Sequence, residues 1–74
     1  MNIDVEKIER LRLRYKTGMP VRLICMNDVQ APAIGTTGAI TGIDDLGTIH
    51  VNWKNGSSLG VVLEAGDRIE VIRA

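Results

Sequence analysis

Residues 48–53, Thr-Ile-His-Val-Asn-Trp, alternate apolar and polar without a break and run directly into Lys54-Asn55-Gly56. A side-chain period of two places Ile49, Val51 and Trp53 on one face and Thr48, His50 and Asn52 on the other. Asn-Gly accepts the positive φ angles of a tight turn, so the chain is expected to reverse there. Residues 57–63, with Leu59, Val61, Val62 and Leu63, then read as the returning strand. This hairpin constrains the fold most, because its apolar face needs a core on one side only.

The core has to be built from little. The chain has 74 residues, no Phe, one Trp and one Tyr. That length makes one domain, and a core of that size supplies only a few kcal/mol of net stability, about 3–5. One Cys excludes an internal disulfide, and one Cys with one His cannot assemble a zinc cluster. Val, Ile and Leu must therefore close the interior, by tight packing or by self-association.

Upstream, Val5, Ile8, Leu11 and Tyr15 fall at helical spacing, so a short helix is expected over residues 4 to about 15. Asp4 is placed to cap it. Gly18 and Pro20 stop it. From Pro20 the pattern changes to β. Residues 21–26 and 37–43 read as strands, the first placing Val21, Leu23 and Cys25 on one face. Gly38 and Gly42 in the second signal a bend or a close backbone approach. Residues 44–47, Asp-Asp-Leu-Gly, form a turn whose Asp side chains bond to the local backbone. Residues 68–72 close the set. Residues 27–35 form a nine-residue, Pro-containing loop, long for so small a domain and of a kind that often carries function.

The expectation is a mainly β domain: one helical segment at 1–18, then a small barrel of five short strands over 19–74. Short, glycine-punctuated strands close readily, and closure removes exposed edges. No stretch of 18 apolar residues is present and the N-terminus is charged, so neither a membrane span nor a signal peptide is expected. With its free cysteine, the chain reads as soluble and cytoplasmic.

With the hairpin placed, the spans Gly18–Asp28, 35–62 and 67–72 resemble a family of small bacterial and phage proteins, domain of unknown function 4314. The shared pattern has an opening strand of the G-x-x-V-R-L type, a G-x-x-G step at Gly35 and Gly38, and an acidic turn at Asp44-Asp45. His50-Val51-Asn52-Trp53-Lys54-Asn55-Gly56-Ser57 completes it. Lys54 departs from it, since many members carry Asp there. A weaker similarity runs to SH3-like barrels of ubiquitin-ligase modules and to the KOW group of ribosome-associated barrels. The resemblance implies an SH3-like fold and a phage or mobile-element setting, and implies no activity.

Net charge is zero but unevenly spread, +3 over residues 1–22 and −3 over residues 23–74. A dedicated nucleic-acid binder shows a basic excess, because phosphate neutralisation supplies much of its affinity. The basic residues Arg10, Arg12, Arg14, Lys16 and Arg22 keep RNA or DNA as an alternative partner. His50 has neither nucleophile nor orienting carboxylate beside it in sequence, so no enzymatic role is expected. Gly35-Thr36-Thr37-Gly38 precedes a strand, whereas a phosphate loop precedes a helix. Cys25 reads as a small buried apolar residue.

The leading expectation is a non-enzymatic binding module for protein, with no cofactor and no metal. In SH3-like barrels the loop equivalent to 27–35 and the hairpin tip flank one groove, which selects Tyr15, Asp28, Gln30, Trp53 and Asn55 as contact residues. Core filling is the first reading of Trp53, and a ledge at the barrel mouth is the second. A self-associating structural protein, using the Val5/Ile8/Leu11/Tyr15 stripe, is a further alternative. A pocket between subunits that sequesters a small molecule is another.

Overall fold

The computed structural model describes residues 4–73. The expected segments 1–18 and 19–74 extend past these limits at residues 1–3 and 74, which lie outside the described residues. Helix α1 spans Val5–Arg14. Strands β1 (Pro20–Cys25), β2 (Thr37–Ile43), β3 (Ile49–Trp53) and β4 (Arg68–Val71) follow, with one 3-10 turn at Leu63–Ala65 before the last strand. All strand pairings are antiparallel, in the order β3-β2-β1-β4. No helix among the described residues is long and apolar enough to cross a membrane.

The helix forms where the spacing places it. The Asp4 carboxylate accepts from the Lys7 N–H at 3.0 Å, satisfying one of the free donors of the first turn. Ile8 is buried and Leu11 half-buried, whereas Leu13, off the stripe, is exposed. This face rests on the β2–β3 turn. A Cβ at Gly47 would stand 3.7 Å from Leu11 Cδ1 and 3.9 Å from Ile8 Cγ1. Arg12 holds the contact with hydrogen bonds to Asp45 Oδ1 at 3.0 Å and to the Ile43 carbonyl at 3.2 Å. Lys7 pairs with Glu64 of the 3-10 turn. Such exposed pairs contribute roughly 0–1 kcal/mol each, so they orient the helix more than they stabilise it.

The interior is aliphatic apart from two rings and the buried Asp67, whose Oδ2 accepts from the Val62 N–H at 2.9 Å. Val21, Leu23, Ile40, Ile49, Val51, Trp53, Val61 and Tyr15 form one buried cluster, with Met19, Met26, Leu63, Ile69 and Val71 packed on its margin. Burying one such side chain is worth about 1.5–3 kcal/mol. The β3 face expected to point inward does so: Ile49, Val51 and Trp53 are buried, and His50 and Asn52 are exposed. Gly38 marks a close approach. A Cβ there would meet the Asn52 carbonyl at 2.7 Å and Val51 Cγ1 at 2.8 Å. Gly42 follows a register shift between Ile40 and Gly42 that bends β2. The corresponding shift in β1, between Leu23 and Cys25, takes Cys25 off the inward face. The thiol is exposed, not buried as its alternation suggests.

The five-stranded SH3-like barrel is not formed. The sheet has four strands and is open, because residues 57–62 do not make the returning strand. The hairpin itself turns, but as a three-residue loop. Gly56 N–H donates to the Trp53 carbonyl at 3.0 Å, and Gly56 alone, not Asn55, takes a positive φ, +91°. Beyond it the pairing register is kept at two points only. Trp53 N–H donates to the Ser57 carbonyl at 3.0 Å, and Ile49 and Val61 exchange bonds of 2.9 and 2.8 Å. Between them, Val51 and Leu59 would be the next pair, and among the described residues no backbone bond joins them. Local side chains have taken the groups instead. Ser57 N–H donates to Asn55 Oδ1 at 2.9 Å, and Leu59 N–H to Ser57 Oγ at 3.2 Å. The Trp53 indole N–H donates to the Leu59 carbonyl at 2.9 Å. The segment is a strap tied at both ends, not a strand.

Asp44 clips the β2–β3 turn. Its Oδ1 accepts from the N–H groups of Leu46 (2.9 Å) and Thr48 (3.0 Å), and its Oδ2 lies 2.9 Å from His50 Nε2. The hydrogen bond with His50, followed by that from Thr48, holds the carboxyl below its ordinary value of 3.8.

Two outcomes are expected. In urea denaturation, Gly38→Ala lowers stability by about 1–3 kcal/mol through overpacking. Gly42→Ala, whose Cβ would meet nothing within 4 Å, leaves stability unchanged or raises it by up to about 1 kcal/mol. Thermal melts from pH 6 to pH 2 test the clip. Because the folded-state pKa of Asp44 is depressed, its contribution is complete above the ordinary carboxylate range and disappears as pH falls through the lowered value. The stability gap between the protein and Asp44→Asn is therefore widest near neutrality and closes at the acid end. A gap independent of pH would contradict the assignment.

Candidate functional site

The five contact residues read from the sequence do not converge on one groove. Trp53 is 2% exposed and Tyr15 8% exposed. The indole N–H of Trp53 is already committed to Leu59, so core filling describes it and a ledge does not. Tyr15 closes the C-terminal end of α1, where the Arg14 guanidinium stands 5.5 Å from its ring centroid. Asn55 is exposed at the hairpin tip, where its side chain organises Ser57. The tip lies at the opposite end of β2 from Tyr15: Lys54 N–H donates to the Thr37 carbonyl at 2.9 Å, while Tyr15 shares a cleft with Gly42 and Ile43.

Asp28 and Gln30 belong to the loop that enters β2 at Thr37, the same end as Asn55. Their contact is mutual: Gln30 N–H donates to Asp28 Oδ1 at 2.8 Å, and Ala31 N–H to the Asp28 carbonyl at 3.0 Å. This is an Asx turn, in which the side chain replaces a backbone acceptor. A second turn closes the loop. Thr36 donates to the Ala33 carbonyl through both its N–H (3.0 Å) and its hydroxyl (2.6 Å). Gly35 N–H donates to the Leu23 carbonyl at 2.8 Å, and Leu23 N–H to the Thr36 carbonyl at 2.9 Å. The loop is thereby tied to the centre of the sheet at one end and folded on itself at the other.

On this ordered loop, Val29 is fully exposed and Ile34 three-quarters exposed. Ile34 precedes Gly35, and Ile24, also exposed, follows Leu23, so these two aliphatic side chains flank the same pair of hydrogen bonds. The sequence carries a signal for the two loop residues, namely aliphatic side chains among turn formers. Periodicity misses it because a loop has no period.

The basic residues also separate. Arg10 lies 3.7 Å from Glu6, Arg12 binds Asp45, and Arg22 donates to Glu70 at 2.8 Å across β1 and β4. Arg14 and Lys16 have no carboxylate partner among the described residues. Arg22 lies on the outer sheet face and Arg12 at the β2–β3 turn, so the five form no single stripe. His50 does gain the orienting carboxylate that sequence adjacency did not offer, in Asp44. That carboxylate is also the backbone clip of the turn, and no hydroxyl or thiol among the described residues is hydrogen-bonded to the ring. Among the described residues, no group of three His, Cys, Asp or Glu side chains is placed to hold a metal ion.

A concavity lies between the end of α1 and β2. Arg12, Tyr15, Lys16, Thr17, Gly42 and Ile43 line an open cleft of about 400 Å³. The Thr17 hydroxyl donates to the Thr41 carbonyl at 3.3 Å, at the bend of β2. Arg12, Tyr15 and Lys16, assigned by the sequence to two different readings, are brought together here.

No curated protein and no solved structure matches this chain. One family model does, over residues 4–72, and that span takes in the helix, all four strands and both candidate surfaces. The chain belongs to that family, described as a domain of unknown function (DUF4314).

Proposed function

We propose that the chain is a small non-enzymatic binding module whose partner is a protein, and that the loop end of the sheet is its contact surface. One observation carries this reading: Ile24 of β1 and Val29 and Ile34 of the loop that follows it are exposed on backbone held by hydrogen bonds, not on a loose loop. An aliphatic patch in water is unfavourable unless something covers it, and a pre-ordered loop loses little entropy when that happens. Asp28 and Asn55 supply exposed polar groups at the same end of β2, as an interface rim does. Nucleic-acid binding draws less support, since three of the five basic side chains already have a carboxylate within 4 Å. A phage or mobile-element setting, which the family resemblance implies, and a cytoplasmic location, which the free cysteine suits, accompany this proposal.

Affinity capture from the native cell tests it, with the double variant Val29→Asp, Ile34→Asp beside the unaltered protein. The unaltered protein is expected to retain a protein partner through nuclease treatment. The double variant is expected to lose that partner while melting at the same temperature. Capture that vanishes with nuclease, or that survives the double substitution, would overturn the reading.

A further inference from the structure

We infer that the cleft between the end of α1 and β2 binds a small molecule carrying an oxyanion, a phosphate or a carboxylate group. The inference is independent of the protein-binding reading, since the two surfaces lie at opposite ends of β2. Three features converge on the cleft. Its volume, about 400 Å³, falls within the range of small-molecule sites and is already open. Its wall pairs apolar surface from Tyr15 and Ile43 with the cations of Arg12 and Lys16 and the hydroxyl of Thr17. Its floor is opened by the bend in β2, where Gly42 leaves free the space that a side chain would occupy.

The local charge favours an anion. Arg12, Arg14 and Lys16 place three positive charges around the end of the helix, opposed by Asp45 on Arg12 and by roughly half a negative charge from the helix C-terminus. The excess remains positive. Arg12 keeps donors beyond the two it spends on Asp45 and Ile43, because a guanidinium carries five N–H groups. Lys16 has its ammonium free, with no hydrogen bond or ion pair to another described residue. The Thr17 hydroxyl gives its proton to Thr41 and presents lone pairs, so it suits the hydroxyl or protonated edge of a ligand and not the anionic oxygen itself. The cleft is too small to follow a polynucleotide backbone, and two cations in its lining suit a single anionic group on a small molecule.

The experiment is a titration of the 15N-labelled protein with inorganic phosphate, pyrophosphate and citrate, against sodium chloride at matched ionic strength. Saturable amide shifts confined to residues 15–19 and 41–43 are expected with at least one of the three probes. Phosphate or pyrophosphate against citrate separates the phosphate source from the carboxylate source. Lys16→Ala removes one charge-assisted contact and is expected to weaken binding by about ten-fold. Lys54→Ala, at the far hairpin tip, is expected to leave it unchanged and serves as the control for net charge. Shifts that follow ionic strength over the whole surface, or equal weakening by Lys16→Ala and Lys54→Ala, would overturn the site. Arg12 is not the test residue, because its substitution also releases the helix from the β2–β3 turn.

Discussion

The bond from the Trp53 indole N–H to the Leu59 carbonyl decides how this chain closes. A buried indole must find an acceptor, since an unpaired polar group in the interior costs roughly 1–3 kcal/mol. In this fold the acceptor is the carbonyl that a returning strand would have offered to Val51. With the indole on this carbonyl and the Leu59 N–H turned to Ser57 Oγ, residues 57–62 leave the regular ladder along β3 and cross its edge as a strap. The strap still seats Val61, fully buried, against Ile49. The hydrophobic gain of a fifth element is kept while its ladder is not. Local bonds from Asn55 and Ser57 make the exchange possible by satisfying the amides that leave the ladder.

The remainder of the architecture follows from having so little to bury. With two aromatic residues, the domain places both in the cluster. It needs Gly38 so that β2 can approach β3 closely beside Trp53. The helix completes the interior from the other side by laying Ile8 and Leu11 over the Gly47 turn, with Asp44 holding that turn rigid beneath it. What stays outside is a loop with exposed Val29 and Ile34 at one end of β2 and a cationic cleft at the other. The two ends differ in chemistry because the helix docks at only one of them.

Much of the fold was legible in the residues. The spacing of Ile8, Leu11 and Tyr15, the Asp4 cap, the alternation of Ile49, Val51 and Trp53 and the Asp44 turn each involve residues close to one another in the chain, where periodicity and local bonding decide. The misread parts depend on contacts that periodicity does not encode. Ser57 to Val62 has strand-like composition, but a side chain from the neighbouring strand captures its backbone. Cys25 falls on the inward parity of β1, but an extra residue opposite Arg68 moves it out. The candidate sites divide in the same way. Exposed Val29 and Ile34 are visible as aliphatic residues in a turn-rich loop, whereas Lys16, Thr17 and Gly42 meet only through the docked helix and the bend of β2. The grouping of Tyr15 with Asn55 assumed a closed barrel mouth, and an open sheet places them at opposite ends.

Residue-resolved amide hydrogen exchange provides the most direct test, comparing Val51 and Leu59 with Ile49, Trp53 and Val61. If the strap is held by the indole and tied only at its ends, Ile49, Trp53 and Val61 exchange slowly, Val51 exchanges readily, and Leu59, whose N–H is held only by the Ser57 hydroxyl, exchanges at an intermediate rate. Equal protection of Val51 and Leu59, as in a continuous ladder, would mean that the fifth strand forms and the sheet closes, and would contradict a strap set by the indole.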